Sequence, residues 1–166
     1  MIGSNYKEMD AYKRAKETEF IELVKERRKK TERISYLEGL LETYKQYEPY
    51  IKNHKEQWAL RGYARKKYER QHIAELAYYD TYRNNLKSRI QGLDKRIMPK
   101  AWQRELDSLK TELQETQKLY ADMAFKLARI EVLAYNRKEM ERMLANESHQ
   151  SKGEETLLRN KKGQSL

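Results

Sequence analysis

A chain of 166 residues is long enough for one domain and too short for two comfortable ones. Charged residues make up 37 % and hydrophobic residues 38 %, with six Gly, two Pro and no Cys. That mixture favours long helices, thirteen Tyr and two Trp argue against disorder, and the absence of cysteine excludes disulfides and thiolate metal sites. The net charge of +10, from 36 Lys and Arg against 26 Asp and Glu, favours an anionic partner. Nucleic acid is the foremost of these, because bound phosphates release their counterions. No apolar run approaches the roughly 20 residues that span a membrane, and the N-terminus lacks the apolar core of a signal peptide. The expectation is a soluble cytoplasmic protein with no membrane partner.

In chain order, residues 1–5 read as a disordered start or a cloning remnant. The first long helix, 6–47, should begin after Ser4 or Asn5, either of which can accept a hydrogen bond from the first turn. Its seam runs Phe20, Leu23, Arg27, Lys30, Ile34, Leu37, Leu41 and Tyr44. Charges thus occupy seam positions inside the run from Lys25 to Arg33. Long Arg and Lys stems can pack along such a seam with their heads in water. Alternatively Arg27, Arg28, Lys29 and Lys30 form a girdle for phosphates. Pro49 disfavours helical geometry at Glu48, so the helix should end near Tyr47. A short helix then leads to about Trp58, and Gly62 suits a helix C-terminus. A third helix runs from Ala64 to about Gln91, with Tyr68, His72, Leu76, Tyr79, Leu86 and Ile90 at helical spacing.

Gly92 and the stretch from Lys95 to Pro99 break that pattern, and Pro99 opens the final long helix, 100–145. Trp102, Leu106, Leu109, Leu113, Thr116, Tyr120, Met123, Leu127 and Ile130 form one seam at alternating steps of four and three. So narrow a stripe stays exposed until another helix covers it. The predicted fold is all-α: two long antiparallel helices forming a coiled-coil-like stalk, with residues 48–98 as a short helical head. Together 6–145 make one elongated domain. Residues 146–166, polar and aperiodic, read as a flexible basic tail.

Catalytic and metal chemistry find no footing. Glu69 and His72 have the Glu-x-x-His spacing of di-iron bundles, but no second pair accompanies them. There is no Walker-type phosphate loop and no recognisable nucleophilic triad. No enzyme activity, cofactor or metal is expected. The head instead interleaves aromatics with cations, the combination that stacks bases and neutralises phosphates of single strands. Tyrosines at helical spacing also serve as core residues with the hydroxyl at the rim. The candidate nucleic-acid contacts are Arg27, Arg28, Lys29, Lys30, Arg61, Arg65, Lys66, Lys67 and Arg70, with Tyr63 and Tyr68 as stacking candidates.

The stretch Tyr44-Lys45-Gln46-Tyr47-Glu48-Pro49-Tyr50, then Arg61-Gly62-Tyr63-Ala64-Arg65-Lys66-Lys67-Tyr68, His72 and Met98-Pro99-Lys100, resembles the C-terminal helical region of relaxases. These are mobilisation nucleases of Firmicutes mobile elements. The resemblance covers roughly residues 6–145. The His-hydrophobe-His metal cluster and nicking tyrosine that relaxase chemistry requires are absent, so no catalytic residue carries over. What it implies is a non-catalytic accessory module, free-standing or part of a larger relaxase, that holds DNA, RNA or relaxosome proteins. One alternative is a small mobile-element inhibitor of the anti-CRISPR type, binding a host effector nuclease complex or its guide RNA. Another is a coiled-coil scaffold acting as a homodimer.

Overall fold

The computed structural model describes residues 2–163, with side chains from Tyr6 onward. The chain is all-α: α1 (Ile2–Tyr47), a 3₁₀ turn (Glu48–Tyr50), α2 (Ile51–Ala59), α3 (Gly62–Gln71), α4 (Ile73–Arg89) and α5 (Pro99–Gly163). No strand occurs among the described residues. Contacts divide the chain into two units: Val24–Lys118, and Met1–Leu23 with Leu119–Leu166.

The Val24–Lys118 unit owns the core. Ile34, Leu37, Leu40 and Tyr47 of α1 pack with Tyr79, Leu86 and Ile90 and with Trp102 and Leu106 of α5. Leu37, Leu40 and Leu86 are essentially sealed from solvent. Tyr79 and Leu86, seven residues apart, share one face of α4, and Ile90, the extended residue that follows the helix, joins them in the core. Here α1 and α5 run antiparallel, because Lys30 meets Thr116 while Glu38, further along, meets Lys110 at 3.0 Å. Arg33 grips both carboxylate oxygens of Glu105 at 2.7 and 3.0 Å. Such a planar fork on a carboxylate fixes orientation as well as distance.

In the other unit the pairing is also antiparallel. Phe20 stacks on Tyr120 with ring centroids 5.1 Å apart, and the Arg137 guanidinium lies 4.1 Å from the Tyr6 ring. Arg137 Nε and Nη1 are buried without a hydrogen-bond acceptor, and the face of Tyr6 together with the Glu141 carboxylate, 3.7 Å from Nε, compensates the charge. Met123, Leu127 and Ile130 are half-buried, and every described side chain in 141–163 is exposed.

Several boundaries differ from the sequence-based expectation. The helical backbone of α1 already includes residues 2–5; Met1, the expected side-chain caps at Ser4 and Asn5, and residues 164–166 lie outside the described residues. The tail expected from 146 is helical to Gly163. Its Lys, Glu, Leu, Arg and Gln content has high helix propensity, against about 1 kcal/mol lost at one interior glycine. The expected single helix from 64 to 91 is two, broken at His72, whose φ of −122° and ψ of 33° leave the helical region. Gly62 does not close α2. It has a φ of +56° and heads α3, while α2 ends through an extended Leu60.

Candidate nucleic-acid interface

Helix α3 follows Arg61, whose extended backbone (φ −131°, ψ 155°) makes the corner from α2. Tyr63, Lys66, Lys67 and Arg70 then fall at i, i+3, i+4 and i+7, so the helical period gathers them on one face. All four are exposed, Tyr63 at 78 %. None of the four, nor Arg61, makes a hydrogen bond or ion pair among the described residues. The face therefore carries one sign of charge around an uncovered phenol.

The opposite face of α3 is spent on the fold. Arg65 donates through Nε to the carbonyls of Leu60 at 2.8 Å and Gln57 at 3.2 Å, and through Nη2 to that of Trp58 at 3.4 Å. Its guanidinium also lies over the Trp58 ring at 4.8 Å. The end of a helix leaves such carbonyls short of partners, and of the three that of Gln57 also accepts from the Leu60 N–H at 3.3 Å; Arg65 thus caps α2. The Tyr68 hydroxyl donates to Glu56 at 2.8 Å and accepts from Asn53 at 3.3 Å, while its ring lies 4.1 Å from that of His72. Burial, then the hydrogen bond to Glu56, pushes its pKa up. Glu69 accepts from Gln57 at 3.0 Å. The Glu69/His72 spacing thus serves packing, and no group of His, Asp and Glu among the described residues could hold a metal.

The α1 cluster is divided in the same way. Lys30, at a seam position, lies 2.8 Å from Glu26, 3.2 Å from the Thr116 hydroxyl and 3.7 Å from Glu112. The hydrogen bond to Glu26 raises its pKa against the cost of burial. Arg28 pairs with Glu32 at 3.0 Å, and Arg27 has an interaction of its own within the chain. Lys29 is exposed. Of the sequence-derived candidates, then, the fold gathers Tyr63, Lys66, Lys67 and Arg70 beside Arg61, and engages Arg65, Tyr68, Lys30 and Arg28 internally.

Residues that sequence reasoning passes over include Lys87, Lys95 and Arg96, which the fold brings together with Arg83 around one pocket. Only the four-residue spacing of Arg83 and Lys87 could have flagged them. No helix among the described residues is long and apolar enough to cross a membrane. Comparison with family models, curated proteins and solved structures returned no match to this chain.

Proposed function

We propose that this chain is a non-catalytic module that binds single-stranded nucleic acid through α3, of the kind that relaxases of mobile elements carry beyond their nuclease domain. The observation that supports it is the face made by Tyr63, Lys66, Lys67 and Arg70. Three cations without intramolecular counter-ions suit consecutive phosphates, and an exposed phenol beside them offers a base a stacking surface. The net charge of +10 adds long-range attraction toward a polyanion.

The test is titration of labelled single-stranded DNA, duplex DNA and RNA at two salt concentrations. A variant combining Lys66→Glu, Lys67→Glu and Arg70→Glu should lower single-strand affinity at least tenfold and keep its helical circular dichroism. Undiminished affinity in that variant would remove α3 as the binding face. Binding to an effector ribonucleoprotein without binding to free nucleic acid would favour the anti-CRISPR-type inhibitor.

A second reading, self-association with another copy, is favoured by a separate feature of α5. Phe125, Val132, Leu133, Met140, Met143 and Leu144 are each more than half exposed. They form a stripe distinct from the Met123–Leu127–Ile130 seam. At roughly 60–120 Å² per side chain this amounts to about 500 Å² per copy, near the threshold of a specific interface. Antiparallel pairing with Val132 opposite Leu144 and Leu133 opposite Met143 also sets Arg129 opposite Glu147, twice. Sedimentation equilibrium should give a dimer that Leu133→Asp with Met140→Asp dissociates; a monomer at 100-fold the working concentration would end this reading.

A further inference from the structure

Between α4 and the connection to α5 lies an open pocket of about 480 Å³, lined by Tyr47, Tyr79, Arg83 and Lys87 and by residues 94–97. Four cations border it against one carboxylate, Asp94. That carboxylate is already taken by Arg96, whose Nη2 approaches to 2.6 Å and whose Nε donates at 2.8 Å. Lys95 spends one of its three donors on the Ile90 carbonyl. Arg83 and Lys87, four residues apart on α4 and half-buried, make no hydrogen bond or ion pair among the described residues.

Like charges at that spacing repel by about 0.2–0.5 kcal/mol in an isolated helix, and partial burial sharpens the cost. No ion pair or hydrogen bond of either side chain among the described residues offsets it. The tyrosines add a donor: the Tyr47 and Tyr79 hydroxyls lie 3.3 Å apart, so one proton serves the bond between them. The second hydroxyl proton has no acceptor among the described residues, although both side chains are buried.

We infer that this pocket is a phosphate site. Arg83 and Lys87 supply the unpaired charge, Lys95 and Arg96 the far wall, and a tyrosine hydroxyl a neutral donor at the floor. The surplus of positive charge suits a doubly charged phosphate better than a single carboxylate, and the volume leaves room for an attached nucleoside. The His54 ring already covers Tyr79, stacked at 4.1 Å, so recognition here falls on the phosphate and not on a base.

Calorimetry and thermal unfolding with inorganic phosphate and pyrophosphate, against chloride of matched ionic strength, test the site. Saturable stabilisation is expected, weakened at least tenfold by Arg83→Gln with Lys87→Gln. That variant should match or exceed the parent's melting temperature in chloride, since it removes a repulsion. Lys87→Glu alone should weaken binding as well. A 5′-phosphorylated oligonucleotide binding more tightly than its 5′-hydroxyl counterpart, in a chain carrying the α3 substitutions, would assign the phosphate to a nucleic-acid end; equal binding of the two would assign it to free phosphate compounds. Stabilisation no greater than chloride gives, or undiminished in both α4 variants, would overturn the inference. Because the α3 substitutions leave the pocket intact, failure here is distinguishable from failure of the α3 interface.

Discussion

Arg65 and Lys66 are neighbours of similar charge with opposite duties, and the helix period alone separates them. Arg65 points back to the carbonyls at the end of α2, where a planar guanidinium reaches several acceptors at once. Replacing it with Ala should cost about 1.5–3 kcal/mol of stability, since hydrogen bonds to a charged group are lost and carbonyls orphaned. Lys66→Ala should stay within about 0.5 kcal/mol. Urea unfolding of the two variants measures the contrast, and equal losses would contradict the assigned roles. Leu86 is the other decisive residue: it is fully buried between the long helices, and Leu86→Ala should cost about 2–5 kcal/mol.

At the scale of elements, polar contacts set the register of α1 on α5 in the Val24–Lys118 unit. A seam of leucines alone tolerates slippage, whereas Arg33 on Glu105 and Lys30 on Thr116 are satisfied in one register. The hydrogen bond from Arg33, with its charge, holds the Glu105 carboxyl below the usual carboxylate range. Its contribution is therefore fully present above the unfolded carboxylate pKa and fades as pH falls through the lower folded value. Glu105→Gln should flatten the loss of stability on acidification below about pH 4. Both side chains are more than a third exposed, so the pair should contribute only about 0.2–1 kcal/mol in a double-mutant cycle. An acid limb unchanged by Glu105→Gln would show that other carboxylates govern it.

At the scale of the whole molecule, charge and core are distributed unevenly. The leucines sealed from solvent, Leu37, Leu40 and Leu86, all belong to the Val24–Lys118 unit. Amides of α4 and of the flanking stretches of α1 and α5 should exchange slowest, and those of 141–163 fastest, because that stretch buries no described side chain. Hydrogen exchange followed by mass spectrometry reads this directly; comparable protection across 141–163 would imply a cover such as a second copy. For nucleic acid, four phosphate contacts by Arg61, Lys66, Lys67 and Arg70 predict a log–log salt slope of roughly −3 on single strands. A slope near zero would place the binding energy elsewhere.

The sequence by itself determined the elements that periodicity and proline dictate. The end of α1 at Tyr47, the start of α5 at Pro99 and the seam from Trp102 to Ile130 needed only local rules, because a helix face and a ring-locked φ are properties of neighbouring residues. Leu40 and Thr43 escaped notice, since an approximate heptad does not say which of two adjacent positions turns inward over many turns. The break at His72 was likewise invisible: no Gly or Pro marks it, and aromatic spacing continues across it. Only tertiary packing required it, as Tyr68 reaches Glu56 and Asn53 on α2 while Tyr79 and Leu86 fill the core. The same packing decided which cations are spent on carbonyls and carboxylates and which are left facing water. Composition counts charges; partners many residues away decide which remain unpaired.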